Sequence, residues 1–249
     1  MSTNKRPGDI FQRWGGGTAL FFTYTHLSHD LCTGLLPAFL PLIKDGLGLN
    51  YLQSGFLLSA LNVTSGLSQF PGGWLGDRLK RSIVIATGLG GVGLAAVAAG
   101  LSPGYYPMLA ILIIWGIFAG AYHPAAASAI SSHFEVDRRG KAIAIHMVGG
   151  SLGFSIGPIL GGVIAEFTGW RPAFVLLSLP AIIAVPFVLK KFGNLPSEKK
   201  TRTVASDASA PKKGDNILKV ISAVGVIFTL AVLSQLIGGS VMSFIPVYL

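Results

Sequence analysis

Charge is what this sequence has least of. Asp, Glu, Lys and Arg make up 12% of its 249 residues, about half of the roughly 25% found in soluble domains. Fifty-one per cent of the residues are hydrophobic and 33 are glycine. That balance points to a polytopic membrane protein before any motif is considered. A single cysteine, Cys32, excludes a disulfide framework. No phosphate-cradling glycine loop of the Walker type is present, which excludes an ATP-driven pump. The histidines lack zinc-protease spacing, and Cys32 sits in an apolar stretch that suits packing better than nucleophilic chemistry. Neither an enzyme, a cofactor nor a bound metal is expected. No cleavable signal peptide is evident: residues 1–17 are polar and glycine-rich, and the apolar run after them is too long for an h-region of about 7–15 residues.

What is present is a series of apolar runs. Candidate spans lie at 18–43, 51–74, 82–101, 107–130, 141–165, 172–189 and 217–249, each near the roughly 20 residues a bilayer crossing needs. Backbone groups in lipid must be satisfied within the segment, so each span is expected to be helical. Residues 190–216 hold almost no large apolar side chains and read as a flexible basic linker. The expected organisation is a cytoplasmic tail (1–17), a six-helix half (18–189), the linker (190–216), and a seventh span (217–249) that begins a second bundle. With the N-terminus in the cytoplasm of an inner-membrane protein, all but Lys44 and Arg171 of the 19 Lys and Arg fall on the inner side. This positive-inside pattern explains the net charge of +9 as topology, with contact to anionic lipid and without a nucleic-acid partner.

Two internal repeats are legible. At an offset of 205 residues, span seven falls on span one: Gly34 meets Gly239, Phe39 meets Phe244 and Pro41 meets Pro246. Asp30 then meets Gln235. At an offset of 89, Gly72, Gly73 and Asp77 meet Gly161, Gly162 and Glu166 on the opposite side of the membrane, as a 3+3 inverted repeat requires.

The ionisable residues within the spans are few. They are His26, His29 and Asp30 in span one, His123 in span four and His146 in span five, with Glu166 at the outer edge of span five. Asp30 is the only carboxylate deep in a span, where a central Asp costs about 2.5–3.5 kcal/mol on insertion scales. Such a residue normally faces the bundle interior or a wet cavity. His26 lies one helical turn before it and shares its face. Asp30 with His26 is therefore the candidate proton-coupling pair, with direct hydrogen bonding to a polar substrate as a second role and a satisfied structural pair as the plain alternative. His29, His123 and His146 are candidate cavity residues. For His123, which precedes Pro124, capping of carbonyls freed by the proline is an equal reading. Asn62, Ser65 and Gln69 form one polar face in span two; Asn62 and Gln69 are expected at the cavity, with interhelical bridging as the alternative.

Two further motifs suggest a family. "GGWLGDRLKRS" at 72–82 resembles the loop motif G-x-L-[AG]-D-R-x-G-R of the major facilitator superfamily, matched at Gly73, Leu75, Gly76, Asp77, Arg78 and Arg81. Lys80 stands where the family has glycine. The resemblance implies an intracellular gate formed by Asp77, Arg78 and Arg81. "GGSLGFSIGPILGG" at 149–162 carries glycine every fourth residue, a stripe that lets helices approach closely. It is similar to the superfamily's antiporter motif at Gly153, Gly157, Pro158, Gly161 and Gly162, which implies export in exchange for protons. "HLSHD", "AYHPAAASAI" and "RGKAIAIHMVGGSLGFSIGP" more narrowly resemble the fosmidomycin-resistance branch of drug-efflux transporters.

The resemblance implies an all-α six-helix N-terminal bundle whose spans one, two, four and five line a substrate cavity. The expected function is proton-coupled efflux of a drug-like or polar small molecule by alternating access. A sugar, acid or other metabolite is the alternative cargo, and a non-transporting membrane scaffold is an alternative of another class. The expected partners are the substrate, the proton, the bilayer, and a C-terminal half or partner chain.

Overall fold

The computed structural model describes residues 16–193 and, beyond them, only 225, 226, 229, 230 and 233. The tail at 1–15, the linker from 194 and nearly all of the expected span seven at 217–249 lie outside the described residues. Among the described residues the fold is helical, without strands. Its helices are α1 (Gly16–Thr33), α2 (Leu35–Leu47), α3 (Tyr51–Arg78), α4 (Arg81–Gly100), α5 (Tyr105–His133), α6 (Val136–Thr168) and α7 (Trp170–Phe192).

α1 and α2 are one rod interrupted at Gly34. Pro37 has no N–H to offer the carbonyl of Thr33, and its ring crowds that carbonyl; the Gly34 N–H still donates to Asp30 O at 2.9 Å. The rod ends at Gly48, whose φ of 62° is the left-handed conformation that glycine adopts freely. α3 starts two residues later on a capping box: Asn50 Oδ1 accepts from the Gln53 N–H, and Gln53 Oε1 accepts from the Asn50 N–H. Pro124 and Pro158 lie within α5 and α6, and the helices continue through both.

Four helices, α4 to α7, are long and apolar enough to cross a membrane on length and composition. The first rod and α3 complete the set of six, and they are the ones that carry Asp30, two histidines, Asn62 and Gln69. The rods pair in a symmetric way: α1 packs chiefly on α6, α3 on α5, and α4 on α7. If rods one to three are repeated as rods four to six, first-with-fifth and second-with-fourth are equivalent contacts, as the inverted 3+3 repeat demands.

Glycine makes both equivalent contacts close. Along α6, a Cβ at Gly149 or Gly153 would strike the carbonyl of Thr23 or Leu27 on α1, and one at Gly157 would lie 2.6 Å from Leu31 O. Along the other seam, a Cβ at Gly116 would lie 2.7 Å from Leu61 O, and one at Gly72 would lie 2.6 Å from Ala121 Cα. Backbones therefore touch directly, which is how helices adhere where lipid offers no hydrophobic drive to associate.

Candidate functional site

The α1–α6 seam holds His26, His29, Asp30 and His146 at its centre. His26 is buried, and its Nδ1 lies 2.9 Å from the backbone carbonyl of His146. A carbonyl only accepts, so Nδ1 carries the hydrogen and donates it. That leaves Nε2 to face Asp30, with Nε2 and Oδ2 3.2 Å apart. The second oxygen, Oδ1, accepts a hydrogen bond from His29 Nδ1 at 2.7 Å. His29 Nε2 is buried with no hydrogen-bond partner among the described residues. A carboxylate oxygen only accepts, so His29 Nδ1 carries the hydrogen of its bond to Asp30. Asp30 is thus bracketed by two imidazoles, one for each oxygen, and keeps 18% of its side chain exposed.

Aromatic rings pack around this bracket. His26 stacks on His146 with ring centroids 4.2 Å apart, and His29 stacks on Tyr122 at 4.6 Å. His123 stands edge-on to both His26 and His29. The Thr25 hydroxyl donates to Phe22 O, so the Tyr122 hydroxyl, 2.9 Å from Thr25 Oγ1, donates to it. His146 Nδ1–H donates to that same Phe22 carbonyl. His26 and His146 therefore form a reciprocal clasp, each ring donating to a carbonyl of the opposite helix.

A cavity of about 440 Å³ opens in front of Asp30. It is lined by His26, Asp30 and His123 together with Met147, Gly150, Ser151, Phe154 and Ser155 of α6. Gly150 is what brings this wall against the pair: a Cβ there would lie 2.5 Å from His26 Nε2 and 2.7 Å from Asp30 Oδ2.

The expected site residues thus separate into three groups. Asp30, His26 and His123 meet at the cavity. His29 and His146 are buried behind it, 1% and 4% exposed, one bound to Asp30 and the other clasped to α1. Asn62 and Gln69 are exposed on α3 and do not line this cavity. Gly150, Tyr122 and the α6 positions 151, 154 and 155 escaped the sequence reading. A signal for Gly150 was available, since it is the second glycine of the pair that opens the stripe, but every-fourth spacing drew attention only to Gly149.

The other motif residues lie elsewhere. Gly73, Asp77 and Arg78 occupy the last turns of α3, not a loop; the turn proper is Leu79 and Lys80. Asp77 and Arg78 are exposed, Arg78 over the Trp74 ring at 3.8 Å, while Arg81 opens α4 and is 1% exposed. Lys80 has φ −62° and ψ 124°, open to any residue, so the turn does not need the family's glycine. Gly153, Gly157 and Gly161 face the first rod and Pro158 is half-buried beside them. Gly162 faces open space. Cys32 is buried and serves packing.

The family model of the Major Facilitator Superfamily matches residues 22–249. The chain belongs to the major facilitator superfamily. The multidrug resistance protein MdtG of Yersinia enterocolitica is 26% identical over 219 residues, covering 86% of this chain and 52% of that protein. A multi-drug resistance efflux pump PmrA homolog of Lactococcus lactis is 32% identical over 176 residues, 64% of this chain and 41% of that one. A probable hexose phosphate transport protein of Chlamydia muridarum is 28% identical over 169 residues, covering 67% of this chain and 34% of that protein. Among solved structures, an inward-facing bacterial homolog of the human lysosomal transporter Spinster has a TM-score of 0.71 at 17% identity. It covers 92% of this chain and 54% of that one. A mutant of the peptide transporter POT in complex with sulfate has a TM-score of 0.66 at 19% identity, over 88% of this chain and 46% of that one. The chain spans about half the length of the MdtG and solved transporters it resembles. This superfamily member is a multi-pass membrane protein, and its family is one of transporters rather than enzymes.

Proposed function

We propose that this chain works as the N-terminal half of a proton-coupled efflux transporter for a drug-like or polar small molecule. The observation that carries the reading is Asp30 at the cavity wall, each oxygen held by a histidine. Within an apolar bundle, a carboxylate placed there marks a pathway. His26 Nε2 and Asp30 Oδ2 stand 3.2 Å apart, close enough to hold a proton between them when one is taken up, while the His26 Nδ1–H stays on a carbonyl. The half rocks against a second half about this midplane site, with the N-terminus in the cytoplasm of the inner membrane and Asp77, Arg78 and Arg81 closing the inner side. The efflux names of the MdtG and PmrA relatives support an exporter, as does the glycine stripe of α6. The Chlamydia relative named for hexose phosphate favours a second reading, a metabolite as cargo.

The test is flux in proteoliposomes with the full-length protein and its Asp30→Asn variant under an imposed pH gradient. The variant is expected to show no gradient-driven transport while keeping its fold. Normal pH-driven transport by Asp30→Asn would reject the pair as the coupling site. A drug-susceptibility panel separates drug from metabolite cargo. The 249-residue chain alone is expected to transport nothing, unless it pairs with another copy or a partner chain.

A further inference from the structure

Two imidazoles and a carboxylate converge where the cavity meets α1. His26, Asp30 and His123 each offer one donor atom, and the three atoms lie within 4.8 Å of one another. His26 Nε2 and Asp30 Oδ2 are 3.2 Å apart. Two donors held at about 2.0–2.2 Å by a tetrahedral zinc ion stand about 3.3 Å from each other. The pair already has that spacing, and His123 completes the set by a small side-chain movement from α5.

The outer shell is also in place. A metal-bound imidazole almost always gives its other N–H to a carbonyl or carboxylate, which sets the tautomer and aims the ring. His26 does this toward His146 O at 2.9 Å, leaving Nε2 as its free donor. The oxygen of Asp30 that does not face His26 is itself tied by His29 Nδ1–H at 2.7 Å. Both groups are therefore aimed before any ion arrives.

There is space for an ion as well. A Cβ on Gly150 would stand 2.5 Å from Nε2 and 2.7 Å from Oδ2, and glycine leaves that notch clear. The notch touches both donors and opens on the cavity that His123 lines.

We propose that His26, Asp30 and His123 form a binding site for a borderline divalent transition-metal ion, with zinc(II) as the type, whose remaining coordination position faces the cavity. Two nitrogens and one carboxylate suit such ions, whereas magnesium(II) and calcium(II) take shells of oxygen. The spacing along the chain hides the site, because the third donor comes from another helix. The inference goes beyond the transport reading, since binding is read directly whether or not a substrate moves.

The test uses the untagged chain in lipid nanodiscs. Titration calorimetry is expected to show one zinc(II) bound per chain, and cobalt(II) to give the visible absorption of a bound nitrogen–oxygen site. Magnesium(II) and calcium(II) are expected not to compete. His123→Ala removes a donor, and Gly150→Ala fills the notch while keeping all three donors; each is expected to weaken zinc(II) at least about tenfold. His123→Cys is expected to bind cobalt(II) with a new sulfur-to-metal charge-transfer band, a signal that mere misfolding does not produce. Absence of saturable binding by the wild-type chain overturns the proposal. So does wild-type affinity in both His123→Ala and Gly150→Ala, which assigns the metal to the protein surface, or a cobalt(II) complex of His123→Cys without the sulfur band.

Discussion

The α1–α6 seam and the α4–α7 seam differ in what carries the contact along most of their length. Across α1 and α6, glycines bring two backbones together, and the gap beside them holds three histidines and Asp30. Across α4 and α7, side chains do most of the packing: Phe174, Ala181 and Val188 are fully buried, Gly93 meets chiefly the side chains of Ile182 and Ala181, and a glycine-to-carbonyl contact occurs at one end, between Gly100 and Arg171 O. α4 has 61% of its most apolar window buried, whereas α6 has 28%. α4 is thus enclosed on most sides. α6 meets its neighbours along one narrow stripe and leaves Met147, Ser151 and Phe154 to the cavity. The lesson is that polarity and close backbone contact go together here: glycine gives the room in which a carboxylate can be held by imidazoles.

This contrast orders the expected effects of substitution. The largest is Asp30→Asn, which is expected to reduce gradient-driven flux to that of empty vesicles with little change in thermal stability. Next is Phe174→Ala on the other seam. Deleting a fully buried ring costs on the order of 3 kcal/mol, so the melting temperature in detergent is expected to fall clearly. Flux per folded molecule is expected to survive, and a matching loss of coupling would erase the distinction between the seams. Gly153→Ala presses a methyl into Leu27 O, with about 1–3 kcal/mol of overpacking. It is expected to lower stability less than Phe174→Ala yet to impair transport more, because it separates α1 from α6 at the site. The smallest effect belongs to Gly162→Ala, whose added methyl meets nothing within 4 Å. A change within about 0.5 kcal/mol is expected, so this member of the antiporter motif serves no packing role within the described half. A clear fall in the melting temperature would contradict that.

Much of the fold was legible. The expected spans at 51–74, 82–101, 107–130, 141–165 and 172–189 became α3 to α7; α4 is its span shifted by one residue, α3 runs on at its C-terminal end, and α5, α6 and α7 run on at both ends. The ends ran on because a helix protrudes past the apolar zone wherever its polar residues still form helix, as Glu135-capped α6 does with Asp137, Arg138 and Arg139. The one-turn relation of His26 to Asp30 was also legible, being local to one helix. The burial of His29 and His146 was not. Their sequence neighbours do not say which histidine is buried; that is decided by which way each helix turns about its own axis.

Hydropathy, charge placement and glycine spacing are properties of the chain read locally, and a bilayer converts them directly into spans and topology. The sequence alone therefore determined a helical membrane bundle with a repeat, an acid in its first rod and a family to which it belongs. Only the tertiary structure decided that His26, Asp30 and His123 share one cavity wall, that His29 and His146 brace it from behind, and that Gly150 holds a notch open between them. The reason is physical. Lipid tails and buried side chains are equally apolar, so hydrophobicity does not say which face of a helix turns inward. Backbone contact at the glycine seams sets that rotation, and it exists only once the helices have met.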